Sequence, residues 1–191
     1  MFDKFGSTVI LNLFKVCNEQ QMDQLVSSVT ADLHFLMLLC LNCNGSGAMM
    51  SFLSSLRTPK QKSDMICALK RLTPRIVYDD FGFTVVARCF DIFSPEQTQP
   101  ILDLIADHFL DMATDESGCR LLMKVLGRKA FLLESHPSII SKIAADVSQL
   151  SRHRTGSCMV MYVIDVRMDN LVRDIVGQLS GDFALLSMHK H

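Results

Sequence analysis

Five times along the chain a polar lead-in closes on a lone glycine and an apolar run at helical spacing begins. The segments are FDKFGSTVILNLF at 2–14, LNCNGSGAMMSFL at 41–53, YDDFGFTVVARCF at 78–90, TDESGCRLLMKVL at 114–126 and RHRTGSCMVMYVI at 152–164. Gly6, Gly45, Gly82, Gly118 and Gly156 are 39, 37, 36 and 38 residues apart. A period of this size with helical patterning predicts a solenoid, whose units bury their apolar faces only by stacking on one another. The expected repeats are 1–30, 31–72, 73–107, 108–145 and 146–183, with 184–191 (ALLSMHKH) resembling one more lead-in. A chain that enters inside one repeat and stops before another reads as a partial array.

Each unit has the same internal plan. The glycine opens a helix carrying a paired apolar step: Val9-Ile10, Ala48-Met49, Val85-Val86, Leu121-Leu122 and Met159-Val160. A polar breaker then starts a second amphipathic helix, at Asn18-Glu19, Thr58-Pro59, Ser94-Pro95-Glu96, Ser135-His136-Pro137 and Asp169-Asn170. Such residues accept hydrogen bonds from the orphan backbone donors of a helix start. A short third helix, as in RIVYDDF at 75–81, is expected to lead into the next glycine. The glycine itself is expected to turn the corner with left-handed backbone angles, which a residue lacking Cβ tolerates cheaply.

Composition narrows the function. The 191 residues are 49% hydrophobic and 20% charged, enough for a packed core. With 19 basic against 20 acidic residues the net charge is −1, too balanced for a general electrostatic grip on nucleic acid or anionic membrane. The longest apolar stretch, LHFLMLLCL at 33–41, is too short to cross a bilayer. Met1-Phe2-Asp3-Lys4 is no secretory leader, and seven cysteines read as packed thiols of a cytoplasmic protein. Cys40 and Cys43 form a C-x-x-C, but no second ligand pair stands at zinc spacing, so no metal or other cofactor is expected. His189 and His191 at the end of the chain read as a tail, and two basic clusters, Arg152–Arg154 and 57–62 with Lys70 and Arg71, as solvated surface. No nucleophile elbow, H-E-x-x-H or phosphate-binding glycine loop occurs, and an enzyme acting on a small molecule is not expected.

The recurring phrase resembles the Pumilio/FBF (PUF) repeat: lead-in, Gly, two variable residues, two apolar residues and a variable fifth. FDKFGSTVILNLFKVCNEQQ at 2–21 and LSMHKH at 186–191 resemble the plant branch in particular. The resemblance covers the whole chain. It implies an all-α, right-handed α-solenoid of about five three-helix PUF-type repeats forming an arc, with single-stranded RNA on its concave face. It also implies that the first and fifth residues after each glycine reach a base edge while the second stacks between bases. First and fifth are four apart, hence on one face of a helix.

Carried onto this sequence, the RNA-facing positions are Ser7, Thr8 and Leu11; Ser46, Gly47 and Met50; Phe83, Thr84 and Ala87; Cys119, Arg120 and Met123; and Ser157, Cys158 and Met161. The family pattern places Gln or Glu fifth. Here the fifth residue is Leu, Met, Ala, Met and Met, none with a strong hydrogen-bonding group. Among the second positions only Arg120 has a planar group able to sandwich a base. The resemblance therefore implies a post-transcriptional regulator of mRNA 3′-untranslated regions, controlling translation or stability, with weakened base specificity. Soft apolar residues at Leu11, Met50, Met123 and Met161 leave an alternative, a protein-interaction solenoid that no longer reads RNA.

Overall fold

The paired apolar steps do form helices, and the reason for the glycine before each is visible in what it touches. A computed structural model describes residues 4–127, 137–165 and 172–180, and among these every regular element is helical. In order they are α1 (Lys4–Val16), α2 (Glu19–Ala31), α3 (Leu33–Leu41), α4 (Cys43–Ser55), α5 (Pro59–Ile76), α6 (Gly82–Ile92) and α7 (Pro95–Asp107). Then come α8 (Phe109–Thr114), α9 (Glu116–Leu126), α10 (Pro137–Ala145), α11 (Val147–Ser151) and α12 (Arg154–Asp165), followed by a helix over 172–180. The chain divides into two compact units, Met1–Leu104 and Ile105–His191.

In the first unit the helices carrying a repeat glycine, α1, α4 and α6, lie side by side in one row, while α2 packs on α5 behind them and α3 contacts α4, α5 and α6. The Phe14 and Phe52 rings meet at a centroid distance of 4.9 Å between α1 and α4. In the second unit α9 and α12 lie side by side, with α8 against both and α11 against α12. Met49, Val85, Val86, Leu121, Leu122 and Met159, from the paired apolar steps, are fully buried between rows. Burying a side chain of this size stabilises by roughly 1.5–3 kcal/mol.

The second helices start where the polar breakers predict. Asn18 and Gln21 form a capping box at α2, and Thr58 and Gln61 form another at α5. Ser94 and Gln97 exchange the same pair of bonds at α7, at 3.4 and 3.1 Å. The starts expected at Ser135-His136 and Asp169-Asn170 lie outside the described residues. Gln61 does more than cap. Its buried side chain accepts from the Arg57 and Thr58 N–H groups and donates through Nε2 to Asp23 Oδ1 at 2.7 Å, tying α5 to α2.

Two expectations need correction. No separate third helix spans 75–81: α5 runs on to Ile76 through Pro74, and 77–81 is turn. Pro74 removes one backbone donor, yet the buried stripe of Leu69, Leu72 and Ile76 continues past it, and Thr73 Oγ1 donates to the Leu69 carbonyl at 2.8 Å. Nor do the described repeat glycines use left-handed angles; they sit in the first turn of their helices with ordinary negative φ. Their role is steric. A Cβ on Gly118 would lie 2.7 Å from the Met112 carbonyl oxygen, and one on Gly156 would lie 2.7 Å from that of Leu150. At Gly45 and Gly82 the approach to the carbonyls of Leu39 and Ile76 is closer still. In every case the obstructing carbonyl belongs to the residue six positions earlier.

The polar residue three before the glycine completes the corner. Asn42 Oδ1 accepts from the N–H groups of Asn44 and Gly45 at 3.0 and 2.9 Å, and Asp79 Oδ1 accepts from those of Phe81 and Gly82 at 2.8 and 2.9 Å. Asp115 Oδ1 accepts from the Gly118 N–H at 2.8 Å. In the fifth repeat His153 Nδ1 takes the role, at 3.3 Å from both the Thr155 and Gly156 nitrogens. The acid-then-glycine phrase is thus a side-chain cap followed by a site of backbone contact.

Gly47 offers the matched control, because a Cβ there meets nothing within 4 Å. Gly82→Ala is expected to destabilise the chain by about 1–3 kcal/mol through overpacking. Gly47→Ala should stabilise it by about 0.4–1 kcal/mol through lost freedom of the unfolded chain. Urea denaturation of the two variants checks the pair; equal shifts would refute the steric role of Gly82.

Candidate functional site

The row of helices opened by the repeat glycines puts the first, second and fifth residues after each glycine at the same offset on neighbouring elements: α1, α4 and α6 in one unit, α9 and α12 in the other. At α4, α6, α9 and α12 a side-chain cap three residues before the glycine accompanies that register. What the side chains do there differs from repeat to repeat.

At the first position, Ser46 is buried and its hydroxyl donates to the Cys43 carbonyl at 3.0 Å; half-buried Ser157 donates likewise to Arg154 at 2.9 Å. Each hydroxyl spends its donor on its own helix and keeps only acceptor capacity. Phe83 is half-buried, and Cys119 is almost wholly buried, its Sγ 3.8 Å from the Thr155 carbonyl of α12. Ser7 belongs to α1, but its side chain lies outside the described residues.

At the second position Thr8, Arg120 and Cys158 are exposed, while Gly47 and Thr84 are half-buried. Thr84 Oγ1 donates to the Phe81 carbonyl at 2.6 Å, and Cys158 Sγ lies 3.6 Å from that of Arg154. Arg120 lies along its own helix, paired with Glu116 one turn earlier. At the fifth position Leu11, Met50 and Met123 are half-buried, Ala87 is buried and Met161 stands well exposed. Within each unit the structure therefore sets these residues on adjacent helices, and it leaves Ser46, Ala87 and Cys119 with almost no surface to offer.

One cation of these helices makes a contact that the sequence does not display, because its partner is 34 residues away. Arg88, the sixth residue after Gly82, reaches back to α4, where its Nε and a terminal nitrogen donate to Ser54 Oγ at 3.3 and 3.0 Å. Its other terminal nitrogen is 3.8 Å from Asp91. The same sixth-to-ninth relation recurs in the second unit, where the Tyr162 hydroxyl lies against Gly127. Arg88 and Arg120 each pair with a carboxylate of their own helix, which offsets part of their charge.

Among the described residues no group of His, Cys, Asp or Glu is placed to hold a metal ion, and no single helix is long and apolar enough to cross a membrane. The C-x-x-C splits, with Cys40 buried in α3 and Cys43 exposed. His189 and His191 lie outside the described residues. Burial pushes the Cys40 thiol up to about 12 and that of Cys119 up to about 11, the latter with smaller contributions from Cys158 and Asp115.

The family model of the Pumilio-family RNA binding repeat matches residues 1–30, 84–106 and 108–124. The chain is 29% identical over 190 residues to Pumilio homolog 12 of Arabidopsis thaliana, covering all of this chain and 32% of that protein. The chain thus spans about a third of the length of the curated relatives it matches. Among solved structures it superposes on a Puf4 mutant bound to a Cox17 RNA 3′ UTR recognition sequence with a TM-score of 0.88 at 26% identity, covering all of this chain and 63% of that one. The Puf4 RNA binding domain bound to an HO endonuclease RNA 3′ UTR recognition sequence matches equally well, with a TM-score of 0.88 at 25% identity and 58% of that chain covered.

The two thiols at the α9–α12 contact provide a check on the site geometry. Raising a thiol's pKa depletes the reactive thiolate at a given pH. In the native chain at pH 8, iodoacetamide should therefore label exposed Cys158 while Cys119 stays unlabelled until the pH nears 11 or the chain unfolds. Peptide mass spectrometry reads the two sites separately, and equal labelling rates would contradict the burial of Cys119.

Proposed function

Since this chain belongs to the Pumilio family of RNA-binding repeat proteins, we propose that it binds single-stranded RNA along α1, α4, α6, α9 and α12. In this reading it acts in the cytoplasm as a post-transcriptional regulator at mRNA 3′-untranslated regions, on translation or stability. The observation that carries the proposal is the repeated register: α4, α6, α9 and α12 are each capped three residues before the glycine, and together with α1 they hold residues at the same three offsets. The RNA named for the two Puf4 structures supplies the ligand class.

The side chains at those positions argue for weak base discrimination. A residue reads a base edge by hydrogen bonds, and a bare thioether or aliphatic chain at the fifth position offers nothing of useful strength. Contact then falls to stacking on Arg120 and to the cations Lys15, Arg88, Lys124 and Arg154 along the same helices. Phosphate contacts of that kind are sequence-blind and weaken as salt rises.

A second reading is favoured by one observation, the exposed Met161 thioether, with Leu11, Met50 and Met123 half-exposed at the same offset. Adaptable apolar side chains suit a protein partner, and the solenoid would then be an interaction module that has lost RNA readout.

Binding of the purified chain to a uridine-rich RNA pool and a scrambled control, across a salt series, separates these readings. Equal binding that fades with salt is expected. Clear sequence preference would sink the weakened-specificity argument, and no binding by the folded chain would favour the protein partner. Installing Gln at accessible fifth positions, as Met50→Gln with Met161→Gln, should tighten binding to a suitable RNA by roughly tenfold, the worth of about one net hydrogen bond. Ala87 is left unchanged because its site has no room for an amide.

A further inference from the structure

Counting back from the repeat glycines reveals a second surface, separate from the helices that they open. The residues eleven and seven before the glycine face solvent in the second to fifth repeats alike. They are His34 and Leu38, Arg71 and Arg75, Asp107 and Asp111, and Ala145 and Gln149. The repeat geometry therefore leaves these two offsets open whatever fills them. In the first unit α3 carries the first pair and α5 the second, and the two helices are in contact. Tyr78, four before Gly82, extends the strip into the turn that follows α5.

What fills the strip in that unit differs from a plain solvated face. Leu38 is 41% and Tyr78 38% exposed. Arg71 and Arg75 are one helical turn apart with Lys70 beside them, and among the described residues none of the three is in an ion pair. α5 carries five basic residues against the single acid Asp64, in a chain whose overall charge is −1. Like charges four residues apart on a helix repel, a cost that an anionic partner removes. Of the two acids that follow, Asp79 already accepts from the Phe81 and Gly82 N–H groups. Even counting both Asp79 and Asp80, the strip stays net positive. The second unit holds Asp107 and Asp111 at the same two offsets, so the fold does not require cations there.

We propose that this strip of α3 and α5 docks an acidic linear segment of a partner protein, with two carboxylates two residues apart and an aliphatic residue beyond them. Arg71 and Arg75 are separated by about 6 Å along the helix axis. Alternate residues of an extended chain are about 6.6 Å apart, so two carboxylates of such a segment meet the two guanidinium groups in step. Each guanidinium can hold its carboxylate through two parallel hydrogen bonds. Leu38, at the offset of Arg75 on the neighbouring helix, and Tyr78 supply apolar surface for the aliphatic residue. A phosphate backbone has no use for that surface, which favours a peptide over a second stretch of RNA. The strip shares no residue with the positions proposed for RNA.

A fluorescein-labelled peptide containing Glu-Ser-Glu followed by Leu serves as the probe, with a Gln-for-Glu peptide and a uridine oligonucleotide as controls. Fluorescence anisotropy at low salt should show the acidic peptide binding the chain and the Gln peptide failing to. Arg71→Ala with Arg75→Ala should weaken binding by about tenfold or more, the worth of one charge-assisted hydrogen bond. Leu38→Ser should weaken it less and leave its salt dependence unchanged. Lys60→Ala, which removes an exposed cation elsewhere on α5, should change nothing. All these residues are exposed, so the fold should survive, and circular dichroism checks it. Arg71→Lys with Arg75→Lys keeps the charge but loses the fork, and provides a second pair should the alanine variant misfold; it too should bind more weakly. The proposal is overturned if the acidic peptide does not bind, if the Gln peptide binds equally, or if the arginine variants bind as tightly as the unaltered chain. Loss of oligonucleotide affinity in the arginine variants, with peptide binding intact, would assign the strip to nucleic acid instead.

Discussion

The contact on which the architecture depends is one between backbones: the first turn of α4, α6, α9 and α12 lies against a carbonyl at the end of the preceding helix. A Cβ at Gly45, Gly82, Gly118 or Gly156 would intrude on that carbonyl oxygen, so the approach exists only because the side chain does not. Asn42, Asp79, Asp115 and His153 then hold the turn in place by accepting the amides that the corner leaves unpaired. Packing of the apolar steps follows from this junction, because it fixes where the third and fourth residues after the glycine must point.

The same junction explains why chemistry can drift on one side of the helices without loss of fold. Residues on the inner flanks, such as Met49, Val86 and Leu122, are locked into the core, and substitution there opens cavities. At the first, second and fifth positions Ser46, Ala87 and Cys119 are buried as well, while Thr8, Arg120, Cys158 and Met161 are exposed. These positions hold hydroxyls turned back on their own helix, an arginine paired along its helix and a set of thioethers. A family scaffold is retained while the groups suited to base reading are thin, which is the physical basis for proposing weak discrimination instead of a defined motif.

Much of the fold was legible in the sequence because its signals are local. The glycine period gave the repeat, and Asn18, Thr58 and Ser94 cap helices where they were expected to. What escaped was long-range. The sequence displays a glycine but not the carbonyl that faces it, so a left-handed corner was inferred where the real constraint is contact. Pro74 reads as a break, yet the buried faces of Leu69 and Ile76 carry α5 through it. At the candidate site, the resemblance put Ser46, Ala87 and Cys119 on the helices after the glycines, but only the neighbouring residues decide that they are covered. Arg88 reads as a cation of α6, but its contact gives no signal, since its partner Ser54 sits in another repeat.

The spacing between the carbonyl and its glycine carries a consequence for how such a chain can change length. Glycine to glycine, the distance ranges over 36 to 39 residues, whereas Leu39 to Gly45, Ile76 to Gly82, Met112 to Gly118 and Leu150 to Gly156 are all the same six-residue span. Insertions and deletions have therefore been absorbed elsewhere in the unit, and this hexad has acted as a fixed ruler. The natural module for duplication, exchange or grafting is then one cut between the first and second helices, in segments such as 17–18 or 56–58. A seam at the glycine, where the eye first sees the repeat, would sever the one measurement the array keeps constant.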